Sequence, residues 1–279
     1  MHDLLGDIAI RASFPTLALA VSAALLALNV VWSAVGLVAE RALSRYRVWD
    51  VPLRPGQIRW EILANLRFDA VVGVFTAALL HFGPGLGLLR IAQPGPGNGP
   101  GSGWLGGLAT FAVTWVCFEV YYWCMHRAMH TKPLYRFHRW HHESRVTTAF
   151  TGVSTSSVEA LGWALGFALG PLLLSTFATV HLGAWALYFV YNYSGNIVGH
   201  VNADFFPKLM SRRAQSWMVH PVTYHALHHA RFVNHYSFGS SFMDRLLGTE
   251  WDDWQALHGR VRDGRPMTSL SQNLRQRGA

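Results

Sequence analysis

Histidine is the residue type with the greatest potential for chemistry in this sequence, because its 15 histidines equal the combined number of aspartates and glutamates. Ten of them lie in two short segments, 126–142 and 220–235. The spacing is H-x-x-x-H at 126–130 and H-x-x-H-H at both 138–142 and 225–229. Residues three and four positions apart meet on one face of a helix. The pattern therefore predicts helices whose imidazole rings converge.

Neutral imidazole is a common nitrogen ligand for transition metals. One ion takes about four to six ligands. The three units and His200, which ends an N-x-x-x-H pattern, offer nine histidines, too many for one ion and suited to two. Surface histidine pairs, the ordinary alternative, would rarely repeat the same helical spacing. The sequence therefore predicts a dinuclear metal site, and two adjacent redox metals can share the electrons needed to split O₂.

The elements that must hold these histidines are strongly apolar. Hydrophobic residues make up 51% of the 279 and charged residues only 14%, below the roughly 25% charged residues of soluble domains. Apolar stretches cover residues 12–39, 70–89, 104–125 and 160–199. Residues 160–199 are about twice as long as one membrane span, which predicts two antiparallel helices with a turn at 181–183. Residues 70–89 are marginal as a full span and are expected to be bent or re-entrant. About four to five transmembrane helices are predicted.

The net charge of +8 allows two classes of partner, nucleic acid or a membrane surface. Arginines concentrate in the expected loops 40–69 and 126–159 and in the chain from 201 onward, while 93–103 and 181–183 carry no charge. This alternation follows the positive-inside rule with the N-terminus outside, which favours a membrane protein over a nucleic-acid binder. The predicted fold class is an all-α integral membrane protein with a cytoplasmic helical cap that carries the dimetal site.

The histidine motifs, in this order and between apolar hairpins, resemble the fatty acid hydroxylase/sterol desaturase superfamily. Residues 238–249, which end in Asp-Arg-Leu-Leu-Gly-Thr, are similar to the closing segment of that family. The resemblance covers about residues 105–255. It implies a membrane-bound non-haem di-iron oxygenase that hydroxylates or desaturates an unactivated C–H bond of a lipid or sterol-like substrate. The implied iron ligands are His126, His130, His138, His141, His142, His200, His225, His228 and His229.

The same resemblance implies O₂ as co-substrate and two electrons from a separate reductase, ferredoxin or cytochrome b5-like donor. Four further residues are candidates for catalytic support. Glu119 lies two helical turns before His126 and is expected to support it or relay protons, unless it pairs with an arginine. Glu143 and Asp244 adjoin motifs and are expected to orient imidazole N–H groups. Asn196 is expected to reach a metal through water or to support a ligand.

The sequence divides into four parts on composition. Residues 1–92 are expected to form N-terminal transmembrane helices with an Arg-rich cytoplasmic loop, and 93–103 a Pro/Gly linker. Residues 104–258 are expected to form the di-iron catalytic domain, and 259–279 a polar, flexible tail. The preference for arginine over lysine points to a bacterial inner membrane.

Several alternatives stay open from the sequence alone. His235 is either an extra metal ligand or a departure from the family pattern at a position that faces the substrate. His220 lies outside the repeated histidine units. A zinc-dependent membrane hydrolase and a non-enzymatic metal-ion carrier are the competing function classes, although no H-E-x-x-H motif is present. The substrate, the carbon attacked and the choice between hydroxylation and desaturation depend on a cavity that the motifs do not define.

Overall fold

The computed structural model describes residues 12–92, 103–211 and 217–273. These residues are helical or irregular, and their only β-structure is isolated bridges such as Arg47 to Ala203. The expected linker therefore lies almost entirely outside the described residues. The helices are α1 (Phe14–Ala42), α2 (Gln57–Phe82), α3 (Gly103–Met129), α4 (Lys132–His142), α5 (Ser157–Leu174), α6 (Leu182–Gly199), α7 (Val222–Arg231), α8 (Phe242–Leu246) and α9 (Trp254–Arg262).

Four of these helices, α1, α2, α3 and α5, are long and apolar enough to cross a membrane. The all-α membrane fold is thus confirmed, with four candidate spans. The predicted hairpin over 160–199 is present as α5 and α6, but the connection covers residues 175–181 and not 181–183. Polar residues near its end, including Asn192 and Asn196, set α6 apart from the apolar spans.

The region between the first two spans differs from the predicted loop. Helix α2 begins at Gln57 and continues without interruption to Phe82, so half of the expected 40–69 loop is helical. The apolar stretch 70–89 is helical to Phe82 and continues as a turn from Gly83. A buried polar side chain explains the difference, because Glu61 is fully buried and accepts hydrogen bonds from four side chains. A satisfied carboxylate lets a helix continue through sequence that reads as polar.

The chain separates into two compact units. Unit 1 comprises residues up to Leu28 together with Leu66–Tyr121 and Ser157–Tyr193, and unit 2 comprises Asn29–Asn65, Tyr122–Ser156 and the residues from Ser194 onward. All nine predicted ligands belong to unit 2. The four-part division made from composition follows different boundaries and stays a prediction.

Small residues bring α3 and α5 close together inside unit 1. A Cβ placed on Gly170 would lie 2.4 Å from the Cα of Thr114, and one on Gly166 would lie 2.9 Å from the ring of Tyr121. The Tyr121 hydroxyl donates to the carbonyl of Gly162 at 3.0 Å. These glycines, one turn apart, allow the close backbone approach that membrane helices use for packing.

The core of unit 2 extends into the segment predicted to be a flexible tail. Val261 is fully buried at the end of α9, and Met267 is also fully buried and shares a bridge with Trp49. Both belong to one apolar cluster with Trp254 and Leu227. Residues 261–267 are therefore anchored to the core by two apolar side chains in a polar sequence, while 274–279 lie outside the described residues.

We expect Gly170→Ala to destabilise the protein by about 1–3 kcal/mol, since the added methyl must displace the α3 backbone. Gly195→Ala is the matched control, because nothing lies within 4 Å of the Cβ position at Gly195. The control should be neutral or slightly stabilising, since alanine favours helix. Thermal unfolding in detergent measures both, and equal midpoints for the two variants would contradict the close packing of α3 on α5.

Candidate metal centre

The nine predicted ligands form two groups of imidazoles within unit 2. In each group, one nitrogen per residue can be chosen so that all of them lie within 4.8 Å of one another. All nine rings are buried except His130, which is half-buried. Group 1 contains His126, His130, His138, His142 and His228. Group 2 contains His141, His200, His225 and His229.

Each H-x-x-H-H unit is divided between the two groups. Helix α4 places His138 and His142 in group 1 and His141 in group 2. Helix α7 does the reverse, with His225 and His229 in group 2 and His228 in group 1. Positions i and i+4 differ by about 40° around a helix, whereas i+3 and i+4 differ by about 100°. The three histidines of each unit therefore lie within about 100° of one another on one side of the helix and still divide between the two groups.

Three Nε2 atoms of group 1 form a triangle that no arrangement of protons can satisfy. The distances are 3.2 Å from His130 to His228, 3.2 Å from His130 to His142 and 3.1 Å from His142 to His228. A neutral imidazole Nε2 carries either a proton or a lone pair. Among three Nε2 atoms at least two must therefore be in the same state, both protonated or both with a lone pair. The contact between those two atoms is repulsive.

A cation at their common focus would remove this conflict. Two nitrogens bound to one ion at about 2.1 Å and 90° apart lie about 3 Å from each other. The Nε2 atoms of His142 and His138 are 3.0 Å apart, in the same range as the triangle. The arrangement of group 1 therefore fits a metal ion bound by lone pairs from several sides.

Group 2 has buried ring nitrogens that no hydrogen bond satisfies. Among the described residues, the Nε2 atoms of His200, His225 and His229 have no hydrogen-bond partner. The rings are in close contact, with centroids 4.5 Å apart both for His141 and His229 and for His200 and His225. A buried polar atom without a partner costs about 1–3 kcal/mol, and a second metal ion would remove that cost.

Backbone carbonyls determine which nitrogen points inward. A carbonyl only accepts, so a ring whose Nδ1 contacts a carbonyl carries its proton on Nδ1 and directs the Nε2 lone pair to the centre. In group 2, His229 donates to Ser144 at 3.0 Å and His200 donates to Asn196 at 2.6 Å. In group 1, the Nδ1 of His126 and the Nδ1 of His228 make equivalent bonds.

Burial keeps these rings neutral. It lowers the pKa of all eight ligands that lie outside the candidate spans, and repulsion from neighbouring imidazoles adds to the lowering. For His200 the pKa falls to about 4. A neutral ring retains the lone pair that a metal requires.

The four residues expected to be catalytic lie outside both groups. Glu119 is buried in α3 and belongs to unit 1. Glu143 forms an ion pair with Arg54 and is partly exposed. The Asn196 side-chain amide donates to the carbonyl of Gly152 at 2.6 Å, while the backbone carbonyl of Asn196 orients His200. Catalytic roles for these residues stay predictions.

Asp244, the fourth of these residues, reaches a ligand through the backbone. Its buried carboxylate accepts five hydrogen bonds, among them the Tyr236 N–H at 3.0 Å and the Trp123 indole N–H at 3.0 Å. The carbonyl of the same Tyr236 accepts from His126 at 2.8 Å. Asp244 thus holds the peptide that orients His126, and within the described part of the chain its carboxylate makes no hydrogen bond to an imidazole.

Two further carboxylates support the groups in a way that motif analysis did not identify. Glu61 accepts from the Ser144 hydroxyl at 2.6 Å, and the Ser144 carbonyl orients His229. Asp204 accepts from both the N–H and the hydroxyl of Thr223, in the first turn of the ligand-bearing helix α7. Carboxylates satisfy the unpaired N–H groups of a helix start. No sequence signal marks Glu61, since it lies far from every motif.

The two histidines left open by sequence have structural roles. His235 is fully buried, donates from Nδ1 to the Tyr224 carbonyl at 2.8 Å and accepts the Trp251 N–H on Nε2 at 2.8 Å. The Nε2 of His220 lies 2.6 Å from the Phe238 carbonyl. Both rings are bonded to backbone and belong to neither group.

A polar basin lies beside group 1. This cavity of about 450 Å³ includes His142 among its walls. Its positive rim consists of Arg54, Arg139 and Arg145, with Glu143 as the only carboxylate in its lining. We call it the arginine basin. It brings solvent and positive charge up to one ligand of group 1.

The fold and site together define the chain as an integral membrane protein with two adjoining groups of buried histidines able to hold metal ions. Residues 111–249 match the family model described as fatty acid hydroxylase, so the chain contains a domain of that family. The resemblance inferred from the motifs is thereby confirmed. No solved structure matches the chain at a significant level.

Curated relatives belong to the same superfamily. The chain is 36% identical to protein CER1-like 2 of Arabidopsis thaliana over 135 residues, which is 47% of this chain and 22% of that protein. It is 32% identical to the very-long-chain aldehyde decarbonylase CER1 of the same plant, and 33% identical to the aldehyde decarbonylase GL1-7 of Oryza sativa subsp. japonica. Each of these two matches covers 47% of this chain and 21% of the relative. The chain therefore spans about a fifth of the length of these relatives.

Acid should destabilise the metal-free protein. The ligands have a lowered pKa in the folded state, so below about pH 6.5 the unfolded chain takes up protons that the folded chain does not. Stability should fall as pH falls from 7.5 to 5.5. His225→Leu should reduce the stability lost between pH 7.5 and pH 5.5 by about 1.4 kcal/mol, and so make the slope shallower.

Thermal unfolding of the metal-free protein in detergent, followed against pH, measures this slope. Trp140→Leu, at an exposed position that does not titrate, controls for the substitution itself. A wild-type slope in His225→Leu would contradict a neutral buried ring at that position.

Proposed function

We propose that this protein is a membrane-bound non-haem di-iron oxygenase that hydroxylates or desaturates an unactivated C–H bond of a lipid or sterol-like substrate. The observation that carries the proposal is the pair of buried all-histidine groups inside a fatty acid hydroxylase domain. Hydroxylation places one atom of O₂ in the substrate and releases the other as water, which requires two electrons and two protons from outside the chain. The family and the named relatives are lipid-modifying enzymes.

The nine histidines would hold two iron ions. When bound, iron supplies the one-electron redox steps and the O₂ binding that this chemistry requires. The chain contributes burial, which excludes water from the ligands. It also contributes the carbonyls of Ser144, Asn196, Asn234 and Tyr236, which hold protons on the outer nitrogens. The Nε2 atoms of the four rings that donate to these carbonyls thereby present lone pairs before any metal binds.

An apolar cavity supports a lipid ligand. Unit 1 encloses about 350 Å³ between α1, α2 and α6, and its lining has a single polar side chain, Thr76. Such a cavity suits an alkyl chain. Its larger lining residues are Leu17, Leu25, Leu80, Trp185 and Phe189.

Aldehyde decarbonylation is the second candidate reaction. It is favoured by one observation, that two of the relatives described above are named very-long-chain aldehyde decarbonylases. The same histidine groups and the same apolar cavity would serve a long-chain aldehyde. The products separate the two reactions, since decarbonylation removes a carbon atom and hydroxylation does not.

The composition of the two groups disfavours the other classes. A hydrolytic zinc site usually includes a carboxylate base and an open position, whereas neither group contains an aspartate or glutamate among the described residues. A metal-ion carrier would place its ligands midway along its spans. Here eight of the nine ligands lie outside the four candidate spans and His126 lies in the last turn of α3.

The proposed membrane orientation rests on charge. The arginine-rich segments 40–56 and 126–156 belong to unit 2 with the predicted ligands, and under the positive-inside rule this supports a cytoplasmic location for the histidine groups. The named relatives are plant proteins and lend no support to a bacterial inner membrane, which stays a prediction from arginine usage.

The electron donor is proposed to be a separate acidic protein, a ferredoxin or a cytochrome b5-like protein, that docks on the arginine basin. The basin has a net positive rim and reaches His142, so a redox centre placed there would be close to a ligand of group 1. Complementary charge accelerates such encounters and makes them sensitive to salt.

Untargeted mass spectrometry of lipids from cells that express the protein tests the reaction. We expect a wild-type product heavier by one oxygen atom, or lighter by two hydrogen atoms for a desaturase, and no product from His228→Ala. A hydrocarbon one carbon shorter than its aldehyde would identify the second candidate. His181→Ala, outside both groups, should retain the product, and lipids identical in all strains supplied with iron and reductant would contradict the proposal.

Charge reversal tests the donor surface. With reduced ferredoxin as probe, we expect Arg139→Glu to slow electron transfer to the iron-loaded protein roughly tenfold at low salt, with a smaller difference at high salt. Arg136→Glu on the same helix is the control, because Arg136 does not line the basin. Stopped-flow spectroscopy follows ferredoxin oxidation, and equal slowing in both variants would remove the basin as the docking site.

A further inference from the structure

The segment after α7 faces two of the five imidazoles in group 1 with its backbone. Residues 232–236 form this orienting segment. His228 donates to the carbonyl of Asn234 at 2.6 Å and His126 donates to the carbonyl of Tyr236 at 2.8 Å. One short stretch of chain therefore sets the direction of both rings.

The orienting segment has a strained backbone. Phe232, Asn234 and His235 have φ values of 65°, 62° and 55°, in the left-handed region. Side chains other than glycine disfavour that region, and each such residue costs about 1–3 kcal/mol unless surrounding contacts impose it. Something outside the segment must hold it in this conformation.

His235 provides that hold through contacts on every side. Its ring stacks on Tyr224, with centroids 3.6 Å apart and planes 8° from parallel. Its Nδ1 donates to the carbonyl of the same Tyr224, and its Nε2 accepts from Trp251, both at 2.8 Å. Its own N–H donates to the Thr249 carbonyl at 2.8 Å. The residue thus ties the segment to α7 on one side and to residues 249–251 on the other.

We propose that His235 is a positioning residue for group 1, which acts by fixing the orienting segment and through it the proton positions of His126 and His228. This inference rests on the proposed metal-binding function. A neutral imidazole suits the position because one flat ring supplies a donor and an acceptor on different edges while it stacks. Asparagine or glutamine can supply one of these bonds in place, and phenylalanine can supply only the stacking.

His220 offers a matched control. It is buried, and its ring also stacks on Tyr224, at 4.5 Å and 22°. Its ring nitrogens lie near the carbonyls of Phe238 and Pro221. Neither of those carbonyls orients a ligand. His220→Phe therefore keeps an aromatic ring beside Tyr224 and removes comparable hydrogen bonding without touching the orienting segment.

The test measures metal binding on the full-length protein in detergent. Metal-free wild type, His235→Phe and His220→Phe are titrated anaerobically with Fe²⁺, and bound iron is counted by mass spectrometry. Loading with Co²⁺ then reports the ligand set by absorption. We expect two ions in wild type and in His220→Phe. In His235→Phe one ion should bind 10- to 100-fold more weakly, as losses in the outer hydrogen bonds of metal ligands usually do, with an altered Co²⁺ spectrum.

Two half-replacements keep the test decisive if His235→Phe does not fold. His235→Asn can retain the bond to Tyr224, and His235→Gln can retain the bond from Trp251, so each should weaken one ion by an intermediate amount. Wild-type affinity in all folded His235 variants, or equal loss in His220→Phe, would overturn the positioning role. Failure of the wild type itself to bind metal would overturn the proposed function and this inference with it.

Discussion

Nine buried or half-buried imidazoles converge on two small volumes, and four of them direct a lone pair inward because a backbone carbonyl accepts from the outer nitrogen. The rest of unit 2 is built around that constraint. Lone pairs at about 3 Å repel each other in the absence of a cation, and protonation is opposed by burial. The rings therefore need support from outside the two groups if they are to stay aimed inward before metal binds. Backbone carbonyls supply it, because they accept the outer proton of a ring and carry no net charge.

Three carboxylates of unit 2 support the histidines indirectly, through the backbone groups and helix ends that position them. Glu61, Asp204 and Asp244 are each fully buried and each is satisfied by neutral donors, either hydroxyls, amides or backbone N–H groups. Each holds a peptide or helix end that then positions a ligand. A buried charge is tolerated when several donors surround it.

The sequence singled out the histidines that converge because imidazole spacing on a helix is a local property. All nine predicted histidines fall into the two groups. Their partition between groups could not be predicted, since it depends on how α4 and α7 are rotated against each other. Glu61 was missed for a related reason, because its four donors come from its own helix and from residues 144–151, more than eighty positions away. Hydropathy likewise predicted that Glu61 lies in a loop, because hydropathy depends on the polarity of a side chain and not on whether hydrogen bonds satisfy it in the fold.

The reciprocal use of α4 and α7 explains why the two groups differ in size. Each helix contributes an i, i+4 pair of histidines to one group and its remaining histidine to the other group. Together the two helices therefore supply three histidines to each group. The remaining ligands break this symmetry. Helix α3 and the residue just after it add the pair His126 and His130 to group 1, whereas the end of α6 adds only His200 to group 2. Group 2 therefore has one imidazole fewer, and a metal held there would retain more room for a ligand from outside the protein.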